Sequence, residues 1–164
     1  MIKKIFAAAA LSLLASSSFA ASPTAFYGGL DVGSTKVDGL DGNKTSVGAF
    51  LGYGFTQNFA VELGYRQLGK WDLYGIDVSA KQTHVSVVGS FPLSQQFDIY
   101  GRLGYNNVSG EASYGGRTYS AGDSGALYGV GLNYSFTPTV AGRVEVQKPA
   151  SDTTNYSVGV VFKF

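Results

Sequence analysis

Cysteine is absent from the sequence, and proline, methionine and tryptophan are scarce, at four, one and one among 164 residues. Without cysteine, an exported domain of this size has no disulfide to help hold it together, so its stability must come from other interactions. Charge of either sign is also limited, since 12 lysines and arginines face 11 aspartates and glutamates. This balance provides no basic surplus that would indicate nucleic-acid binding.

The N-terminal residues have the three-part layout of a secretory signal peptide. Two lysines are followed by an apolar run from Ile5 to about Ala15 and then by Ser-Phe-Ala, which fits a signal-peptidase site. The apolar run is too short to span a membrane as a helix. We therefore predict a signal peptide over residues 1–20 and one domain over residues 21–164; the alternative is that the first segment is a helix of the folded domain.

Long apolar runs are also missing downstream of this segment, where none approaches the roughly 20 residues that a membrane-spanning helix needs. Glycine, tyrosine and phenylalanine are instead abundant, at 23, 11 and 11 residues. Aromatic residues favour strands, and glycine weakens helix interiors. If the chain enters a membrane, it must do so as strands.

Apolar residues recur at every second position in eight segments. In FAVELGYRQL, for example, Phe, Val, Leu and Tyr alternate with Ala, Glu, Gly and Arg. The segments are residues 25–34, 45–55, 59–68, 78–93, 97–107, 122–136, 140–148 and 155–164. An even number of such segments, each about ten residues long, is typical of a membrane β-barrel. We predict an all-β fold, an eight-stranded antiparallel up-and-down transmembrane β-barrel; the alternative is a soluble β-sandwich.

The links between these segments are asymmetric. Short links occupy residues 56–58, 94–96 and 137–139, and longer polar links occupy residues 34–44, 69–77, 107–121 and 149–155. Outer-membrane barrels place short turns in the periplasm and long loops outside the cell. This asymmetry predicts that both termini are periplasmic and that the four long loops are extracellular.

Aromatic residues gather at both ends of the segments. Those next to the short links are Phe55, Phe59, Phe91, Phe97, Phe136 and Phe164, and those near the long links are Tyr65, Trp71, Tyr74, Tyr105 and Tyr156. Two aromatic belts that bracket an aliphatic band match the girdles found at the two membrane interfaces. A soluble core would not require this placement.

The polar positions that alternate with the apolar ones in these segments include both acidic and basic residues. The residues expected to point inward are Asp31, Glu62, Arg66, His84, Asp98, Arg102, Arg143, Glu145 and Lys163. Side chains about fill the interior of an eight-stranded barrel, and charges buried there must be paired. We expect an ionic network that closes the lumen, in keeping with a structural role; the alternative is a small low-conductance pore.

His84 is the only histidine, and Ser86 follows it on the same strand face. A His-x-Ser pair of this kind resembles that of outer-membrane lipid A deacylases, which would need a base and an orienting acid within reach of the hydroxyl. The strand parity, however, turns both side chains into the lumen and away from lipid. We therefore predict no enzyme activity and no catalytic, cofactor-binding or metal-binding residues, with lipid A modification through His84 and Ser86 as the remaining alternative.

Several stretches together resemble the OmpA family of outer-membrane barrels, including its small OmpX-like and Opacity-like members. They are AFYGGLDVG, VGAFLGYGFTQNFAVELGYR, FDIYGRLGYN and the closing YSVGVVFKF. The resemblance implies a monomeric bacterial outer-membrane barrel surrounded by lipids and lipopolysaccharide, with a structural role in the envelope and loops that interact outside. Family members of full length add a peptidoglycan-binding domain, which we do not expect here.

The last segment alternates from Tyr156 to Phe164 and must pair with the first if the barrel is to close without an open edge. A terminal phenylalanine on the lipid-facing parity resembles the sorting signal that the outer-membrane assembly machinery reads. We therefore expect that machinery to be a partner of this strand.

Overall fold

The computed structural model describes residues 25–39, 42–73, 76–114 and 117–164, so the predicted signal peptide lies outside the described residues. The described residues form eight strands. They are β1 (Ala25–Val37), β2 (Lys44–Gly54), β3 (Phe59–Leu73), β4 (Ile76–Pro92), β5 (Phe97–Tyr114), β6 (Arg117–Ser135), β7 (Val140–Ala150) and β8 (Thr153–Lys163). Among these residues, no helix is both long and apolar enough to cross a bilayer.

The strands close into one barrel in chain order. Each strand pairs antiparallel with its neighbour in sequence, and β1 pairs with β8 from Tyr27 opposite Lys163 to Val37 opposite Thr153. The eight-stranded up-and-down barrel predicted from the sequence is therefore confirmed. Closure also leaves no free sheet edge along the β1–β8 contact, as a bilayer requires.

Alternation along each strand separates an apolar outside from a polar inside. In β2, buried and exposed positions alternate without a break from Thr45 to Tyr53. The exposed positions of the barrel wall are large and apolar, such as Leu30 at 66% exposure, whereas the charged Glu62 is completely buried. This polarity is the reverse of a water-soluble domain and matches a surface that contacts lipid.

Three connections within the described residues are tight turns built in the same way. The hydroxyl oxygens of Thr56, Ser94 and Thr137 each accept a hydrogen bond from the backbone N–H three residues later, at 2.9, 3.1 and 3.0 Å. Such bonds give the turn backbone a partner when the ladder stops. The short links are therefore confirmed, and they all lie at one end of the barrel.

The opposite end differs from the prediction. Residues 69–77 and 107–121 are interpreted above as loops, but their described residues (69–73, 76–77, 107–114 and 117–121) are strand, so both hairpins continue as paired arms. Residues 149–155 are strand as well, apart from a two-residue turn at residues 151–152. In these positions the predicted long loops are wrong.

An irregularity in the pairing of β3 with β4 explains why the third predicted segment, residues 59–68, ends before β3 does. The fourth predicted segment, residues 78–93, already includes most of β4, which begins at Ile76. A register shift between Gln67 and Gly69 lies where the β3–β4 arm begins. A prediction that follows one apolar alternation ends the strand at this shift, although the hydrogen-bonded pairing of β3 with β4 continues.

Candidate functional site

An ion-paired cluster crosses the interior of the barrel and joins β3, β5 and β7. Arg102 Nη2 lies 2.5 Å from Glu62 Oε2, and Arg102 Nε lies 3.0 Å from Glu145 Oε1. Arg143 Nη1 lies 2.8 Å from Glu62 Oε1 on the other side of the same carboxylate. All four side chains are buried, so each charge is desolvated and depends on its partner.

Aromatic side chains complete this cluster. The Tyr27 hydroxyl donates to Glu62 Oε1 at 2.8 Å, and the Tyr100 hydroxyl donates to Glu145 Oε2. The Arg143 guanidinium carbon lies 4.5 Å from the ring centroid of Phe50 and 4.8 Å from that of Tyr100. These contacts supply hydrogen bonds and cation–π attraction to the buried charges.

A second pair lies closer to the hairpin arms. Arg66 Nη2 is 2.8 Å from Asp31 Oδ1, and Arg66 Nη1 donates to the amide oxygen of Asn155. The Asn155 amide nitrogen donates in turn to Thr35 Oγ1 at 2.9 Å and to Ser46 Oγ at 2.7 Å. Polar groups therefore lie on both sides of the Arg66–Asp31 pair: the ion-paired cluster on one side and Asn155, Thr35 and Ser46 on the other.

His84 and Ser86 lie in the lumen, as their parity predicted, and Arg102 contacts both. Arg102 Nη1 is 2.9 Å from His84 Nε2 and 3.0 Å from Ser86 Oγ. Because a guanidinium can only donate, both Nε2 and the serine oxygen act as acceptors. The nitrogen that a nucleophilic serine would need as its base is thus occupied, and Ser86 is only 2% exposed.

Asp98 and Lys163 lie apart from these contacts. Both line a cavity of about 370 Å³ near the tight turns, and Arg143 also borders it. Within the described part of the chain, no group of three or more His, Asp or Glu side chains is placed to hold a metal ion.

Sequence reasoning missed how glycines make room for the large interior side chains. A Cβ on Gly52 would lie 2.2 Å from Tyr27 Cζ, and one on Gly131 would lie 2.5 Å from Tyr100 Oη. Each glycine pairs in register with the aromatic residue that it accommodates. The signal was present, because inward parity positions in the sequence alternate between glycine and large residues on neighbouring strands.

The family model described as the outer membrane protein beta-barrel domain matches residues 6–164. Outer membrane protein A of Serratia marcescens is 32% identical over 167 residues, which cover 86% of this chain and 45% of that protein. Outer membrane protein P5 of Haemophilus influenzae is 32% identical, with 90% of this chain and 51% of that protein covered. The chain spans about half or less of the length of these relatives.

Solved structures share the fold at low identity. Neisserial surface protein A has a TM-score of 0.71 at 15% identity, with 89% of this chain and 100% of that chain covered. The attachment invasion locus protein Ail of Yersinia pestis, in complex with the heparin analogue sucrose octasulfate, has a TM-score of 0.63 at 21% identity, with 86% and 97% covered. These similarities establish the architecture alone.

Proposed function

The chain belongs to the family of outer membrane protein β-barrel domains, and from this premise we propose that it is a structural barrel of the bacterial outer membrane that supports the envelope and presents its hairpin arms to partners outside the cell. The observation that carries this proposal is the combination of a lipid-facing apolar wall with an interior in which Asp31, Glu62, Arg66, Arg102, Arg143 and Glu145 are ion-paired. Such an interior suits a rigid scaffold because each charge of the cluster is held by at least one group of opposite charge.

The proposed orientation places the tight turns and both chain ends in the periplasm and the hairpin arms outside. It rests on the rule that outer-membrane barrels have short periplasmic turns. In this proposal residues 1–20 direct export and are removed after Ala20. The assembly machinery then recognises β8, where Phe164 is 82% exposed on the lipid-facing side, and the barrel functions as a monomer.

The proposed lumen is closed to ions by the cluster of Glu62, Arg102, Arg143 and Glu145. Arg102 reaches carboxylates on both β3 and β7, so the cluster bridges the lumen from wall to wall. Aromatic rings from β2 and β5 fill the space beside it. An ion would have to break these desolvated pairs in order to pass.

Conductance of the refolded protein in a planar bilayer tests the closed lumen. We expect a silent bilayer for the wild type. Stable single-channel currents that change when Glu62 or Arg143 is substituted would instead support the second candidate, a small low-conductance pore. The cavity beside Arg143 favours that candidate, because it brings solvent space as far as the cluster.

We further propose that the protein is not an enzyme. The contacts of Arg102 with His84 and Ser86 support this, because they occupy the base and the hydroxyl oxygen that acyl transfer would use. Lipid A from cells that express the protein should have the same mass spectrum as lipid A from cells without it. A change in lipid A that disappears in a His84→Ala variant would show that His84 and Ser86 act as a lipid A-modifying pair.

A further inference from the structure

The cavity near the tight turns forms a cup inside the barrel, bordered at its inner end by Arg143 of the interior cluster. Its volume of about 370 Å³ lies within the range of about 300–1,000 Å³ that is usual for small-molecule sites. Small inward-facing residues create this space, because Gly54, Ala60 and Val88 lie in one register row across β2, β3 and β4. The pair of Ala141 and Val161 does the same on β7 and β8. Most of the wall of the cup is therefore apolar.

Two opposite charges lie at the mouth of the cup. Asp98 is the second residue of β5 and Lys163 is the last residue of β8, so both lie at the tight-turn end of the barrel. Among the described residues, neither side chain forms an ion pair with the other or with a third group. The mouth thus presents a carboxylate and an ammonium group on strands that are three positions apart around the wall.

A third polar group, the amide of Asn133, lies between these charges and the interior cluster. Asn133 pairs in register with Asp98, and its side-chain oxygen accepts a hydrogen bond from Arg143 Nε at 3.1 Å. This bond fixes which end of the amide faces the guanidinium and leaves Asn133 Nδ2 as a donor for a ligand in the cup. Arg143 itself is paired with Glu62, so the charges of the cup balance.

We propose that the cup binds a zwitterionic dipeptide with apolar side chains. Its ammonium group contacts Asp98, and its carboxylate contacts Lys163. Its side chains lie against the apolar wall, and its peptide oxygen accepts a hydrogen bond from Asn133 Nδ2. A ligand of this class satisfies both charges at the mouth and fills the apolar space beneath them.

The separation of the two charges favours a dipeptide over a free amino acid. Asp98 and Lys163 do not reach each other, so one ligand must bridge the gap between them. An amino acid carries both charged groups on one carbon atom, whereas two extended residues span about 7 Å. A fatty acid would satisfy Lys163 alone and leave the carboxylate of Asp98 without a partner.

The proposed orientation of the barrel turns the mouth of the cup toward the periplasm. Only this part of the inference rests on the proposed function. Binding itself depends on the cup and its two charges, and not on the side of the membrane that the cup faces.

Isothermal titration of the refolded barrel in a non-ionic detergent with leucyl-leucine tests the site. We expect Asp98→Asn and Lys163→Gln each to weaken binding about fivefold, the usual effect of losing one partly exposed ion pair. Lys36→Gln is the matched control, because Lys36 is also exposed but lies near the opposite end of β1, and it should bind like the wild type. A wild type that does not bind, or an unchanged affinity of either cup variant, would overturn the proposal.

Blocked peptides assign each end of the ligand. N-acetyl-leucyl-leucine lacks the ammonium group, so we expect it to bind about fivefold more weakly than leucyl-leucine and to be insensitive to Asp98→Asn. The C-terminal amide of leucyl-leucine should be insensitive to Lys163→Gln in the same way. Blocked peptides that bind as tightly as leucyl-leucine would contradict the two ion pairs. Free leucine or decanoate with the affinity of leucyl-leucine would contradict the choice of a dipeptide.

Ala60→Leu tests the cup without a change in charge. Ala60 lines the cup, so the larger side chain should fill it and abolish binding of leucyl-leucine. Heat-modifiable migration on a detergent gel reports whether this variant folds, and the charge variants decide the question if it does not. A folded Ala60→Leu variant with wild-type affinity would show that the ligand binds elsewhere.

A single cysteine in place of Asp38 tests the orientation independently, since the chain contains no other cysteine. A membrane-impermeant thiol reagent should label it on intact cells, as expected if the cup faces the periplasm. Failure to label a correctly folded outer-membrane barrel would refute the proposed orientation, whereas dipeptide binding in detergent would stand. Labelling combined with charge-independent binding would refute the dipeptide site alone.

Discussion

Glu62 is the carboxylate that joins the two arginines of the interior cluster. Its two oxygens contact Arg102, Arg143 and the Tyr27 hydroxyl. A carboxylate that is bonded at both oxygens can lose its charge only by leaving two guanidinium groups undercompensated in a dry environment. The residue therefore matters for stability whether or not ions ever cross the lumen.

We expect Glu62→Gln to lower the free energy of unfolding by about 3–5 kcal/mol, the usual cost of removing one partner from a buried ion pair. Urea unfolding in lipid vesicles, followed by heat-modifiable migration on detergent gels, measures it. Asp98→Asn is the matched control, because Asp98 is half-buried beside the cavity, and its loss should stay below about 1 kcal/mol. Equal losses in the two variants would contradict a structural role for the cluster.

Gly131 offers a test of how tightly the interior is packed. A Cβ at this position would lie 2.3 Å from the carbonyl oxygen of Val144 and 2.5 Å from Tyr100 Oη. We expect Gly131→Ala to destabilise the barrel by about 1–3 kcal/mol through overpacking. Gly101→Ala in the same assay should cost nothing, since no atom lies within 4 Å of its added Cβ. A neutral Gly131→Ala would mean that Tyr100 can move freely.

At this scale the sequence predicted which side chains point inward but not which of them meet. Strand parity alone places Glu62, Arg102 and Arg143 in the lumen. Their contacts connect β3 with β5 and β7, which are not neighbours in the sheet. Such contacts depend on the stagger of the strands around the barrel, and a one-dimensional pattern carries no information on that stagger.

At the scale of the element, we expect that a hairpin arm can be removed without unfolding the membrane-spanning part of the barrel. Residues 110–114 and 117–121 form the β5–β6 arm beyond the pair Ser109–Gly122, and the segment to be replaced is residues 110–121. We expect their replacement by Asn-Gly, which forms a two-residue hairpin turn, to leave the barrel folded and heat-modifiable. The lipid-facing rows from Phe97 to Tyr105 keep all their partners in this variant.

The same gel assay in outer-membrane fractions checks the shortened arm. Loss of the folded form would contradict the separation of arm and barrel. Surface labelling of a cysteine at Asp38 provides the internal control, because it reports that the shortened protein still reaches the cell surface in the proposed orientation.

Predictability also differed from one strand to the next. The segment predicted at residues 140–148 corresponds closely to β7, which ends at Ala150, because the strand alternates between apolar outer and polar inner positions from Arg143 to Gln147. The segment predicted at residues 97–107 stops seven residues before β5 ends at Tyr114. The strand continues there because its partner β6 continues, and alternation reports the surroundings of a strand rather than its pairing.

At the scale of the whole molecule, the outer wall carries the large apolar side chains that a water-soluble protein would bury in its core. Leu30 is 66% exposed in β1 and lies between the aromatic end of the strand and its polar end. In water, a charge at so exposed a position would be harmless. In a bilayer it is not.

We expect Leu30→Arg to cost about 2–4 kcal/mol in lipid vesicles, the cost of an arginine near the bilayer midplane. Thr139→Arg, also exposed but located in a tight turn, should change stability by less than about 1 kcal/mol. Reversible urea unfolding compares the two variants. A neutral Leu30→Arg would contradict the membrane-embedded wall.

The pairing of glycine with aromatic residues inside the barrel affects which substitutions the sequence can accept during evolution. The outer wall accepts any apolar side chain, so its positions can drift one at a time. Tyr100 and Gly131 face each other in register, and a larger residue at either one requires a smaller residue at the other. Among descendants of a common ancestor, we expect the outside to diverge by single replacements and the inside by compensating pairs.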